Sequence, residues 1–353
     1  MNRDALQQEV KGHTDEIPII RDRDFSNSQF ADADFAGGIF KGVNFSGVNL
    51  ANANLQYCQF IQCDFTDAIL SHADLANANL TDVTAVGAVL VGANLAYSNI
   101  IEADFSGVDL SGVDLDHSNF INVNFDHANL NRSASSSASF IECSFNTSSI
   151  EQGKHFGSIF IDPVFKDTAL TDSCFEKVMF VKPDMRQYQL DTVSFLQCQF
   201  LEADMAGVNL QGQTLTQCGF VGADLTKANM TQVDAPMALF LQADLRGAVI
   251  KQSNLEQALF NQAKLDAADF SGSRMIQTQL NDTQCDAAQF VSCDLSYADF
   301  SNSNLQFTDF SKAELYRTNL HGVDDAKSMW YNANRSAALE TDAKRAAAEN
   351  YKS

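Results

Sequence analysis

Large apolar residues recur at every fifth position from Phe25 to Leu320, and 55 of those 60 positions are Phe, Leu, Ile or Met. The grid also takes 25 of the 27 phenylalanines, leaving only Phe156 and Phe307 outside it. Two residues before each centre the side chain is small: 55 of the 59 positions from Ser28 to Thr318 are Ala, Ser, Val, Cys, Thr or Gly. A period of five matches neither the 3.6 of a helix nor the 2.0 of a flat strand, so the unit is a short extended piece followed by a corner. Such units bury their apolar side only by stacking on a neighbour.

A second period lies on the first. Every fourth centre gives Phe40, Phe60, Leu80, Ile100, Phe120, Phe140, Phe160, Phe180, Phe200, Phe220, Phe240 and Phe260, whereas the line from Phe30 runs through Leu50, Leu70, Leu90, Leu110 and Leu130. Faces that keep their own residue type predict twenty residues per turn, so the 60 repeats predict an all-β solenoid of about 15 coils. A buried centre contributes about 1.5 to 3 kcal/mol, against about 1 to 2 kcal/mol for ordering each residue's backbone. One coil alone does not fold.

The segment LANANL from Leu50 to Leu55 and the run FSGVDLSGVDL from Phe105 to Leu115 resemble the A(D/N)LXX consensus of the pentapeptide-repeat family, over about 300 of the 353 residues. The resemblance implies a right-handed quadrilateral β-helix, with each centre and the residue two before it pointing inward.

The expected organisation is an N-terminal cap over 1–24, repeats over 25–320, and a C-terminal cap and helix over 321–353. In the cap, Asp4 to Lys11 reads as one or two helical turns and Glu16 to Arg21 as extended, covering the first coil's edge. Residues 1–24 hold no apolar run long enough for a secretory signal or a membrane span, so the expected location is cytoplasmic. Between 132 and 190 the local chemistry loosens. Ser135 and His155 replace large centres, and Pro163, Pro183 and Tyr188 stand where a small residue belongs. A kink, bulge or change of coil shape is expected near 146–165, with room for a hidden loop. After His321 the period is expected to stop, with Met329, Trp330 and Tyr331 plugging the last coil and a helix from Ser336 to Tyr351. In gyrase-binding members of the family that end is commonly a dimer contact, which the resemblance extends to this chain.

Composition narrows the partners. A net charge of −22 argues against nucleic acid or an anionic membrane, both of which demand Lys and Arg. Between Lys41 and Arg132 lie 90 residues without Lys or Arg and with ten acids, among them Asp64, Asp74, Asp104, Asp109, Asp114 and Asp126. That density approaches the one charge per ~1.7 Å of duplex DNA. Asp before a centre also serves corner hydrogen bonds, and acidity keeps a rod soluble.

Of the eight cysteines, Cys58, Cys63, Cys143, Cys198, Cys218 and Cys293 occupy the small inward position and Cys285 a centre, so they read as core residues in a reducing compartment. Cys198 and Cys218 stack within disulfide reach, though the core reading is preferred. Cys174 is expected to point outward. No catalytic, cofactor-binding or metal site is expected. The nucleotide, zinc-protease and hydrolase motifs are missing, His72, His117 and His127 fall on different sides, and Ser135 with His155 reads as an enclosed, satisfied polar pair.

The residue after each centre is expected to face water. On the Phe-rich side it is aliphatic at Ile101, Ile121, Ile141, Ile161, Val181, Leu201, Val221 and Leu241, preceded by Ile61 and Thr81 and followed by Asn261 and Asn281. Residues just before the centres add Ile159, Met179, Leu239 and Leu259. At ~4.8 Å per level, eight levels make an apolar stripe about 38 Å long. Three functions remain open: a non-catalytic scaffold that dimerises or binds a protein through the stripe; an acidic DNA mimic that engages a basic DNA-handling protein, gyrase or topoisomerase IV being implied by the resemblance; and an adaptor or effector of a bacterial secretion system.

Overall fold

The computed structural model describes residues 3–12, 18–186 and 188–349. The chain divides into two compact units, Met1–Pro183 and Asp184–Ser353.

One corner builds both units. At Phe25 the carbonyl accepts the Ser28 N–H at 3.1 Å, and Asn27 between them takes a left-handed φ of 56°. Left-handed backbone recurs every fifth residue through most of the chain and costs on the order of 1 kcal/mol wherever a Cβ is present. The compensation is local: the Asn27 N–H, turned outward along the stack, donates to Ser46 O of the next coil at 2.8 Å, and the Phe25 N–H donates to Asn44 O at 2.8 Å. Each corner is therefore stable only with another coil beside it.

In the first unit the strands Ile19–Arg21, Ile39–Lys41, Gln59–Ile61, Asn79–Thr81, Asn99–Ile101, Asn119–Ile121, Ser139–Ile141, Ile159–Ile161 and Met179–Val181 form one parallel ladder, each residue paired with the one twenty further on. The other sides carry bridges of the same offset, such as Asp24 to Asn44, Gln29 to Asn49 and Asp34 to Asn54. Four ladders per twenty residues make the coil four-sided. The coil count differs from the expected 15. The strands of the first unit make about nine turns, the first of them a level early, at Ile20.

The centres from Phe25 to Leu320 are all buried, as are the small inward positions except Ser28 and Tyr188, which are half-buried. Rings twenty apart lie flat on one another, Phe120 on Phe140 at 4.9 Å and Phe140 on Phe160 at 4.6 Å. The helix Arg3–Lys11 turns Leu6 and Val10 inward onto the first coils, and Lys11 reaches Asp34 at 2.6 Å. That hydrogen bond holds the Asp34 carboxyl below its ordinary range. The expected extended piece from Glu16 is described only from Pro18, Glu16 itself lying outside the described residues. A Cβ at Gly38 would stand 2.7 Å from the Phe40 ring and 2.9 Å from Phe35 O, with Val10 beside it. Gly38→Ala is therefore expected to lower stability by about 1 to 3 kcal/mol. An unchanged denaturation midpoint would show that the cap leaves room there.

Between 132 and 183 no loop interrupts the offset: Ser144 bridges Val164 and Ser149 bridges Ala169. What changes is the shape of one further side, where Ala134–Ser136, Lys154–Phe156 and Cys174–Glu176 become paired strands. In earlier coils that side has Asp or Asn before the centre, and its side-chain oxygen takes the N–H two residues on, as Asp74 takes Ala76 at 3.1 Å. Ala134, Lys154 and Cys174 have no such acceptor, and the chain there runs extended.

The second unit repeats the same device. Phe200, Phe220, Phe240 and Phe260 stack at 5.2, 5.1 and 4.7 Å. The period does not stop after His321 as expected. Asn304 bridges Asp324, Asp309 bridges Met329 and Asn319 bridges Leu339, so backbone pairing outlasts the run of apolar centres. Trp330 takes a centre position and closes one stack, lying on Phe310 at 4.3 Å with the Arg335 guanidinium above it at 4.5 Å. The expected helix starts later than Ser336: Arg335–Ala337 is a single tight turn, and the described helix is Ala343–Glu349. Leu339 N–H is drawn to Thr318 O at 2.8 Å, and Asp342 caps the helix by accepting the Lys344 N–H at 2.8 Å. Tyr351 lies outside the described residues.

Candidate interaction surface

The ladder places the aliphatic successors of the first unit in register. Ile61 pairs with Thr81, Thr81 with Ile101, Ile101 with Ile121, Ile121 with Ile141, Ile141 with Ile161, and Ile161 with Val181. Their side chains are half-buried rather than fully exposed, because each is shielded by the ones above and below it at ~4.8 Å. The remaining three of the expected stripe, Leu201, Val221 and Leu241, belong to the second unit, where Glu202 N–H donates to Val221 O and Gly222 N–H to Leu241 O, each at 2.9 Å.

Beside the first unit's segment stand the exposed side chains of Ile159 at 37% and Met179 at 39%, with Phe156 at 45% on the adjoining corner under the Lys177 ammonium, 5.2 Å away. Leu239 and Leu259 in the second unit are only half-buried. Phe156 is one of the two phenylalanines off the five-residue grid, and that displacement was its signal in the sequence. A neighbouring corner exposes Tyr97 at 59%, stacked on His117 at 4.8 Å.

The six aspartates are not brought to one face. Asp64 and Asp104 share one ladder, Asp74 and Asp114 a second, Asp109 a third, and Asp126 sits just after a centre. Along the ladders Asp alternates with neutral residues. Asn94 donates to Asp74 Oδ1 at 3.0 Å, Asn124 to Asp104 at 3.1 Å and Asn129 to Asp109 at 3.0 Å. The same oxygens accept the corner N–H groups of Ala76, Ser106 and Ser111. Alternation sets like charges two levels apart, avoiding the repulsion of facing carboxylates.

Ser135 Oγ lies 2.7 Å from His155 Nδ1 and 3.0 Å from Ser158 Oγ, with both Ser135 and His155 buried. The pair is not fully satisfied as expected, since His155 Nε2 has no hydrogen-bond partner. Burial pushes this imidazole down to about 4. Gly153 makes its room, for a Cβ there would stand 2.7 Å from Nε2. Burial likewise pushes the thiols of Cys58, Cys143, Cys285 and Cys293 up to about 12, which removes the thiolate that nucleophilic chemistry requires. Cys198 and Cys218 are buried thiols not joined by a disulfide, and Cys174 is half-buried. His72, His117 and His127 occupy three different corners. A polar hollow of about 320 Å³ is lined by Ser111, Asn129, Asn131, Arg132, Glu151 and Gln152, several of which already bond one another, as Arg132 Nε does Gln152 Oε1 at 3.1 Å. Among the described residues no helix is long and apolar enough to cross a membrane.

A parallel β-solenoid of five-residue corners, presenting its chemistry on outward ladders, is the class these features define. Within it, the chain belongs to the pentapeptide-repeat family: a family model of pentapeptide repeats matches in eight copies, within residues 28–67, 44–82, 68–112, 98–134, 195–235, 242–282 and 283–324. Solved structures similar to it include HetL, a pentapeptide repeat protein involved in heterocyst differentiation regulation from the cyanobacterium Nostoc, at 20% identity over 77% of this chain and 90% of that one, with a TM-score of 0.23. Full-length QnrB1, a plasmid-mediated fluoroquinolone resistance protein, matches at 15% identity over 78% and 96%, with a TM-score of 0.19. The pentapeptide repeat protein Rfr23 from the cyanobacterium Cyanothece matches at 21% over 34% and 88%, with a TM-score of 0.21. No curated protein matches the chain.

Proposed function

We propose that the protein is a non-catalytic interaction scaffold that binds a protein through the aliphatic segment Ile101, Ile121, Ile141, Ile161 and Val181. The observation that carries this reading is the unbroken five-level register of that segment beside exposed Phe156, Ile159 and Met179. Contiguous apolar surface of a few hundred Å² on a soluble protein usually marks an interface. Leu201, Val221 and Leu241 carry the same chemistry in the second unit. Changing Ile141, Ile161 and Val181 together to Ser is expected to abolish self-association and partner capture while leaving the fold intact. Unchanged sedimentation and unchanged capture from native lysate would remove the reading.

A second reading, an acidic mimic of DNA that occupies gyrase or topoisomerase IV, rests on the 90 residues without Lys or Arg. The corner bonds of Asp74, Asp104 and Asp109 favour the first reading, since they give those carboxylates a structural task. Gyrase supercoiling in the presence of a quinolone, with and without the protein, separates the two. The adaptor or effector reading rests on no motif of its own.

A further inference from the structure

The polar hollow of about 320 Å³ lies on the side of Leu110, Leu130 and Ile150, not on the aliphatic one, so it and the aliphatic segment are independent of each other. Its space has a cause in the corner row His72, Gly92, Gly112, Arg132, Gln152 and Asp172, residues twenty apart that all take left-handed backbone. Gly112 sets no side chain beside Arg132, and a Cβ there would meet nothing within 4 Å. The run of long side chains at this corner therefore begins at Arg132, with an open level before it.

Hydrogen bonds already made decide what the hollow can offer. Asn131 Oδ1 accepts the Ser149 hydroxyl at 2.5 Å and the Glu151 N–H at 2.8 Å, and Gln152 Oε1 accepts the Arg132 Nε–H at 3.1 Å. With both amide oxygens engaged, Asn131 and Gln152 have their amide N–H groups left to give. Arg132 keeps its two terminal nitrogens and Ser111 its hydroxyl. Among the described residues neither Arg132 nor Glu151 forms an ion pair, so an unpaired cation and an unpaired carboxylate line one hollow without pairing with each other. The cation is unusual for this surface: between Lys41 and Lys154, Arg132 is the only base among twelve acids.

We propose that the hollow binds a small zwitterion of the α-amino-acid class. The ligand's carboxylate sits on the Arg132 fork, a pairing that a guanidinium makes with two parallel hydrogen bonds, and takes the amide N–H groups of Asn131 and Gln152. Its ammonium sits on Glu151. A zwitterion fits better than a dianion such as phosphate, because a chain of net charge −22 opposes the approach of anions and leaves a neutral ligand unaffected. The lining has no apolar side chain, so a polar ligand such as glutamine is favoured over an aliphatic one. The volume lies at the low end of the ~300 to 1,000 Å³ of small-molecule sites, and Arg132 and Gln152 are exposed, so a dissociation constant of about 1 mM is expected.

NMR titration of the whole protein with L-glutamine up to about 20 mM, well above that constant, tests the site through the side-chain amide signals of Asn131 and Gln152. They should shift and saturate. Arg132→Gln, which removes the fork, and Ser111→Trp, which fills the space and leaves both charges in place, should each weaken binding at least about tenfold. Glycinamide lacks the carboxylate and N-acetyl-L-glutamine lacks the ammonium, so the unaltered chain should bind both far more weakly than glutamine. Glu151→Gln should weaken glutamine and leave N-acetyl-L-glutamine no weaker. Shifts that never saturate, an unchanged affinity in a folded Arg132→Gln, or N-acetyl-L-glutamine or inorganic phosphate binding the unaltered chain as well as glutamine does, would each overturn the proposal. The comparison of ligands needs no variant, so it decides the matter even where a substitution harms folding.

Discussion

Phe140→Ala lowers the stability of the first unit by about 3 to 5 kcal/mol, a cost set by transfer and by the cavity left behind. The ring is 1% exposed and lies flat between Phe120 and Phe160, at 4.9 and 4.6 Å, with Phe145 edge-on at 5.8 Å. Truncation removes two stacked contacts at once, and the neighbouring coils are tied at fixed spacing by backbone bonds such as Ser139 N–H to Ser118 O at 2.9 Å, so they have little freedom to close the gap. In a stack of repeats, stability is carried by nearest-neighbour interfaces. The variant should therefore unfold in two steps, with levels on either side of Phe140 uncoupled, when followed by urea titration. A loss under about 1 kcal/mol would contradict a tightly packed interior.

The second large effect is a pH dependence centred on His155. In the folded chain its imidazole is neutral down to about 4, because burial disfavours the charged ring, whereas its ordinary value is 6.5. Between those values the unfolded chain binds the proton and the folded chain does not, so stability rises with pH in that window. The contribution is complete above the unfolded value and is lost as pH falls toward the folded one, by roughly 3 kcal/mol in total. His155→Phe keeps an aromatic ring over Phe175, now stacked at 5.0 Å, and removes the titration. The stability difference between wild type and variant should then narrow or reverse by about 3 kcal/mol between neutral pH and about pH 4.5. Parallel pH profiles for the two proteins would show that the imidazole is solvated or already charged.

The interior was legible because one physical constraint repeats. A four-sided coil admits one large and one small side chain per side, and Phe40, Phe60 and their successors obey it without slipping. Where the backbone rather than the side chains carries the fold, the sequence was less informative. Ile20 extends the first unit's ladder ahead of the first Phe, and in the second unit Asp325, though not apolar, still makes a corner past Leu320 by accepting the Ser328 N–H at 3.0 Å. The helix start at Asp342 was missed because Leu339 is held by Thr318, a contact that helical propensity does not see. On the outside, the register of Ile101 to Val181 could be read from numbering, but the mutual shielding of those side chains could not. Asp74, Asp104 and Asp109 looked like one acidic feature in a linear count and separate in three dimensions, because residues five apart stand on different sides.

The most direct test of the account is the salt dependence of self-association, measured by sedimentation equilibrium at about 50 mM and about 500 mM monovalent salt, where the screening length shrinks from about 14 Å to about 4 Å. Association through the aliphatic ladder should persist or strengthen at high salt and disappear with Ser at Ile141, Ile161 and Val181. A complex that forms only at low salt, and forms equally well in the triple serine variant, would assign the surface to its carboxylates and contradict the account.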